Sequence, residues 1–168
     1  MTQQAKKRNQ TLWRDLILLV MWMAFIWLHS LVKGNNSLQE SNFFVNLLSP
    51  HLSLIGIDDS HTQSFIVRKT AHYLEYLVLG ILACRATRPH RGLSIAALIV
   101  IVAATPIIDE SIQLLTPGRE GRIFDVLLDM SGALTGVIIF AIVHACVVAY
   151  RKRHPKAPPR TPKHFAQK

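Results

Sequence analysis

Charged residues are scarce in this chain. Asp, Glu, Lys and Arg make up 17% of its 168 residues, hydrophobic types make up 50%, and the mean hydropathy is +0.27. A water-soluble domain draws about a quarter of its residues from those four charged types, so the balance points to lipid as the solvent. Acidic residues are scarcer than basic ones, 10 against 19, which leaves a net charge of +9. Such a surplus can mark a nucleic-acid binder, and its placement along the chain has to decide. Cysteine is nearly absent. Cys84 and Cys146 lie far apart, each inside an apolar run, with no C-x-x-C spacing, so a disulfide framework is not expected. The G-x-S-x-G nucleophile elbow and the H-E-x-x-H zinc motif are missing too, and no internal repeat stands out.

What the chain has instead is four long apolar runs, Leu16–Val32, Phe65–Cys84, Leu93–Leu115 and Ile123–Tyr150. Each approaches the roughly 20 residues a helix needs to cross the hydrocarbon core, the second being the least apolar. Lys6, Lys7 and Arg8 precede the first run as they would precede a signal peptide, but HSLVKG offers no small-x-small cleavage pattern, so an uncleaved anchor is expected. Most of the 19 basic residues fall in three places: the N-terminal segment (Lys6, Lys7, Arg8, Arg14), the second connection (Arg85, Arg88, Arg91) and the tail from Arg151 onward. Only Asp15 opposes them. With four crossings this positive-inside bias puts both termini in the cytoplasm, and it accounts for the basicity without nucleic acid.

The expected architecture is therefore all-α: an integral membrane four-helix bundle with a cytoplasmic segment 1–15, a membrane domain 16–150 and a disordered basic tail 151–168. The long external connection, 33–64, contains SNFFVNLLSPHLSLIGI, whose apolar residues recur at helical spacing. It predicts a short amphipathic helix on the outer surface, interrupted near Pro50. Asp58, Asp59 and Ser60 then offer caps for the second membrane helix.

The ionisable residues inside the runs share one depth. Lys69, His72 and Glu75 lie early in the second run, Asp109, Glu110 and Gln113 late in the third, and Arg122, Asp125 and Asp129 early in the fourth. At a rise of about 1.5 Å per residue, His72, Asp109 and Asp129 all fall roughly 10 Å below the outer boundary. A carboxylate facing lipid costs at least about 3 kcal/mol, so these groups are expected to face the bundle interior or a wet cleft. His72 and Glu75 share a face, as do Asp109 and Gln113, and Asp125 and Asp129, whereas Glu110 is offset about 100° from Asp109. Glu75, Asp109, Glu110 and Asp125 are expected to crowd one another and permit proton transfer. Arg119 and Arg122 flank the entrance, where guanidinium forks suit phosphate or carboxylate. The competing reading makes Lys69, Arg119 and Arg122 simple neutralisers of a network that fixes helix register. No metal and no cofactor are expected, because no second histidine lies near His72 in the pattern. Ser111, Ser131 and Thr135 are expected to bond the backbone. His29 is read as incidental, and Trp22 and Trp27 as packing or lipid-facing. Gly132 and Gly136 form a GxxxG, read mainly as intramolecular packing, with homo-oligomerisation left open.

Taken in order, K-x-x-H-x-x-E-Y-x-x-x-G (Lys69, His72, Glu75, Tyr76, Gly80), D-E-x-x-Q (Asp109, Glu110, Gln113), P-G-R (Pro117–Arg119) and D-x-x-x-D-x-x-G (Asp125, Asp129, Gly132) resemble the VanZ-like membrane proteins over about residues 65–140. That family commonly carries Asn at the position of Asp129, so this chain adds a charge there. The resemblance implies a small multi-pass protein of the bacterial inner membrane, in a family whose named member is associated with low-level teicoplanin resistance at the cell envelope. It supplies no molecular activity. The expected function is an envelope protein with a polar cleft open to the outer leaflet. The cleft would recognise, or modify by acid/base chemistry, an anionic lipid head group or lipid-linked cell-wall intermediate. His72, Glu75, Asp109, Glu110 and Asp125 would form the charged site; Lys69, Gln113, Arg119, Arg122 and Asp129 would bind the ligand. The rival expectation is a structural or partner-binding subunit. A proton-coupled carrier is disfavoured because the polar groups stop at mid-membrane.

Overall fold

A computed structural model describes residues 2–31, 45–88, 95–116 and 122–155. Five helices and no strand occur among them: α1 (Gln3–Ser30), α2 (residues 45–54), α3 (Ser60–Ala86), α4 (Ile95–Leu115) and α5 (Ile123–Arg153). α3 and α5 contain the second and fourth apolar runs and extend beyond them, α5 as far as Arg153 of the expected tail; α1 covers the first run up to Ser30 and α4 the third from Ile95. α1 begins well before Leu16 and includes Lys6, Lys7 and Arg8. Among the described residues, α1, α4 and α5 are long and apolar enough to cross a membrane, and α3 is not. The tail from residue 156 and the segment 32–44 lie outside the described residues.

The burial pattern is that of a protein dissolved in lipid. Large apolar side chains point outward, among them Val20, Met21, Leu28, Ile99, Val100 and Ile142, while Asp15, Ser30, Thr105, Asp109, Glu110, Gln113 and Asp129 are buried. In water this arrangement would expose an apolar surface far beyond what a monomer tolerates. In hydrocarbon it is the low-energy one, because a polar side chain there must find its partners inside the protein.

α3 is the central element. It packs most extensively on α5 and also contacts α1 and α4. Small residues make the α3–α5 approach close: a Cβ added at Gly132 would lie 2.5 Å from the Tyr73 carbonyl oxygen, and one added at Gly80 or Gly136 would overlap the backbone of Ala133 or Leu77. The GxxxG of α5 is thus spent within the chain, against α3. Tyr73 reinforces the seam, its hydroxyl 2.8 Å from Thr135 Oγ1. At the opposite end from the polar layer, buried Asp15 of α1 is 3.1 Å from Arg14 and 3.1 Å from Arg85 of α3.

Local chemistry sets the helix ends. Asp59 caps α3 by accepting from Thr62 N at 2.8 Å and from Thr62 Oγ1 at 2.7 Å. Those two bonds hold the Asp59 carboxyl below its ordinary range. α2 stops in a Schellman turn: Gly56 N donates to Ser53 O at 3.0 Å and Ile57 N to Leu52 O at 3.0 Å. Gly56 takes φ 81°, a conformation that favours glycine. The interruption expected near Pro50 does not occur; α2 runs through it. Pro50 and Asn46, whose carbonyl the missing N–H would have met, are both exposed, so solvent can satisfy that carbonyl.

Candidate functional site

The polar residues of α3, α4 and α5 converge beside the C-terminal end of α1. Asp109, fully buried, is held at both carboxylate oxygens. Ser30 Oγ donates to Oδ1 at 2.5 Å and Gln113 Nε2 to Oδ2 at 3.1 Å. Gln113 also reaches Ser30 Oγ at 3.4 Å, and Thr116 Oγ1 donates to the Ser30 carbonyl at 3.3 Å. A single serine at the end of α1 thereby ties down the last turns of α4.

Glu110 is the next residue in sequence and faces another neighbour. Its Oε2 accepts from the backbone N–H of Arg122, the N-cap residue of α5, at 3.2 Å, while Oε1 is buried without a hydrogen bond among the described residues. The side chain of Arg122 makes no capping bond, and the carboxylate from α4 sits where a helix N-terminus favours negative charge. The 100° offset between positions 109 and 110 is what sends one carboxylate toward α1 and the other toward α5.

On α3, Lys69 pairs with Asp125 of α5, and His72 Nδ1 lies 3.9 Å from Asp129 Oδ1. Glu75 does not join the carboxylate cluster, contrary to expectation. It turns to α1 and meets His29 Nδ1 at 3.4 Å. His29 is therefore not incidental: its ring stacks near His72 at 6.5 Å and near Phe25 at 6.1 Å. A second histidine does lie beside His72, and it comes from the helix that contributes nothing to the sequence pattern. Trp22 and Trp27 pack as expected but also donate across the interface, Trp22 Nε1 to the Glu75 carbonyl at 2.9 Å and Trp27 Nε1 to the Thr105 carbonyl at 3.4 Å. Ser111, Ser131 and Thr135 bond backbone carbonyls within their own helices. Arg119 and the rest of the P-G-R motif lie outside the described residues.

A cavity of about 1100 Å³ opens onto this layer. Lys69, His72, Glu75, Glu110, Arg122 and Asp129 contribute its polar lining. Leu48 and Leu52 of α2, Ile55 just beyond it, and Trp22, Phe25 and Phe65 contribute an apolar one. Arg68, which no motif singled out, lines it as well, with a buried Nε that has no hydrogen-bond partner among the described residues. α2 is thus part of the cavity wall. The arrangement can seat a molecule with an anionic end near Lys69, Arg68 and Arg122 and an apolar body against α2 and α1.

An all-helical chain with apolar outer surfaces, three helices able to cross a membrane and a buried polar layer defines a membrane protein. A model of the VanZ/LLP1 family matches residues 16–144, and the chain belongs to that family. No curated protein and no solved structure matches it significantly.

Proposed function

We propose that this protein is a VanZ-like component of the bacterial inner membrane whose cavity binds an anionic lipid head group or a lipid-linked cell-wall intermediate from the outer leaflet. In this reading α1, α3, α4 and α5 form a four-helix bundle, with both termini cytoplasmic and α2 lying at the outer surface. The observation that carries it is a cavity that combines a charged lining from α3 and α4 with apolar side chains of α2. That combination matches the head and tail of a lipid better than a water-soluble metabolite. Arg68, Lys69 and Arg122 would hold the anion, and Glu110 and Asp125 would set how Arg122 and Lys69 are presented. His72, Asp109 and Asp129 form the deepest part of the layer.

A second reading has support of its own. Lys69 is already paired with Asp125 and Glu75 with His29, as a network that only fixes helix register would require. The readings separate on lipid identification. The purified protein is reconstituted with mixed phospholipids, and bound lipid is identified by native mass spectrometry for wild type, Arg68→Gln and Glu110→Gln. Selective retention of an anionic lipid by wild type, lost in Arg68→Gln at normal membrane abundance, supports the binding reading. Equal retention in all three leaves only the structural network. Orientation is tested separately in a chain carrying Cys84→Ala and Cys146→Ser. Ser37→Cys should react with an impermeant maleimide from outside and Thr161→Cys should not. Loss of the protein is expected to change sensitivity to teicoplanin if the bound lipid is the precursor that the drug recognises.

A further inference from the structure

We propose that His72, Asp109 and Asp129 form a binding site for one divalent first-row transition-metal ion, of the Mn²⁺ or Zn²⁺ kind, where α3, α4 and α5 meet. One ligating atom from each residue lies within 4.8 Å of the other two. Donors around such an ion sit about 2.0–2.2 Å from it, so neighbouring donors lie about 3.0–3.6 Å apart. Closing the triangle therefore needs side-chain movements of up to about 1 Å, which rotamer adjustment supplies.

A second observation points to a bound cation. Asp129 is 1% exposed, and neither of its carboxylate oxygens has a hydrogen-bond partner among the described residues. The imidazole of His72, at 3.9 Å, is too distant to hydrogen-bond either. A buried carboxylate with two empty oxygens, beside a second carboxylate, is an expensive arrangement in a low-dielectric interior. Its neighbour shows what satisfaction looks like here: Asp109 receives Ser30 and Gln113. Those two bonds also leave lone pairs on Asp109, since each carboxylate oxygen can accept twice, and they fix its plane as outer-shell partners of metal ligands do. Lys69, the cation closest in the pattern, is engaged by Asp125. Tyr76, one turn beyond His72, is fully buried, and its hydroxyl has no hydrogen-bond partner among the described residues.

The donor set selects the ion class. Two carboxylates and one imidazole suit Mn²⁺ or Zn²⁺, whereas Mg²⁺ and Ca²⁺ favour oxygen alone. Three protein ligands leave at least one coordination position open. His72 and Asp129 also line the cavity.

The test uses the full-length protein in detergent, stripped with EDTA and titrated with Mn²⁺ while free ion is followed by electron paramagnetic resonance. Mn²⁺ is the first probe because surface histidines such as His51 and His61 would bind Zn²⁺ adventitiously; Zn²⁺ enters as a competitor. Wild type should bind one Mn²⁺ per chain, displaced by one equivalent of Zn²⁺. Asp129→Asn and His72→Gln should each weaken binding at least tenfold, and Asp125→Asn should leave it within twofold. The metal-free Asp129→Asn protein should melt no lower than metal-free wild type, because it removes an unsatisfied charge; that separates lost ligation from lost folding. Absence of stoichiometric Mn²⁺ and Zn²⁺ binding by wild type, or binding that survives the double change Asp109→Asn with Asp129→Asn, overturns the proposal. So does a metal-free Asp129→Asn protein that melts well below wild type.

Discussion

The seam between α3 and α5 gives a prediction whose sign is decided by competing effects of known size. Replacing Gly136 with Ala improves intrinsic helix propensity by about 1 kcal/mol. If the helix surface at that point were open, the variant would therefore be more stable. The added Cβ instead lies 3.0 Å from the Leu77 carbonyl carbon and 3.1 Å from Ile81 N, and overlaps the Leu77 oxygen. All three are backbone atoms, so no rotamer change relieves the clash and the two helices must separate. Overpacking of this kind costs about 1–3 kcal/mol. The upper half of that range applies, since Gly80 and Gly132 hold the same seam equally tight, and the net expectation is a loss of about 1–2 kcal/mol. The measurement is reversible unfolding of the purified protein in mixed detergent micelles, followed by far-ultraviolet circular dichroism. Leu134→Ala, on the exposed face of the same helix, controls for general effects of substitution. The double variant Gly132→Ala with Gly136→Ala should lose less than the sum of the singles, because one separation serves both. A Gly136→Ala protein that is stabilised by about 1 kcal/mol would refute the close approach of α3 and α5, and with it the placement of His72 against Asp129.

Other expectations follow from the buried partners. Ser30→Ala removes a donor from buried Asp109 and should cost about 1–3 kcal/mol in the same unfolding assay, with Gln113→Ala in the same range. Asp15→Asn breaks the link between α1 and Arg85 and should cost about 1–3 kcal/mol, read as a lower unfolding midpoint. In a Lys69→Met, Asp125→Leu cycle the double variant should be more stable than Asp125→Leu alone, which strands a lysine at the cavity. Acidification should fray the start of α3. The Asp59 carboxyl is held below its ordinary value by Thr62, so its contribution is fully present above the unfolded value near 3.8 and fades as pH falls through the lower folded one. Faster amide exchange at Thr62 than at Leu79 on acidification, after correction for intrinsic rates, checks it.

The long helices were legible because apolar runs of membrane length leave little choice of structure, and the offset of Asp109 from Glu110 was legible because a helix fixes it. α1's part in the site was not. Ser30, His29 and Trp22 sit in a run that reads only as an anchor, and nothing in their spacing reveals which face meets α3 and α4. Their roles depend on how the helices pack, which local pattern does not encode. Glu75 went astray for the same reason: its face was right, but α1 lies on that side and draws it to His29. Pro50 was misread because a proline breaks a helix only where the carbonyl it orphans has no other partner, and at Asn46 water is available. Arg68 escaped notice because no motif includes it.

The bond from Ser30 to Asp109 spans 79 positions in sequence. Its two ends leave the ribosome far apart in time, with α3 emerging between them. Asp109 therefore meets the membrane before its final partner can be assured, unless α1 stays beside the insertion site until α4 arrives. An isolated carboxylate at such a depth opposes insertion by roughly 3 kcal/mol. Biosynthesis of this chain thus favours an order in which the first helix waits and the third long helix enters against it. A leader clipped away early would leave α4 to enter without that partner.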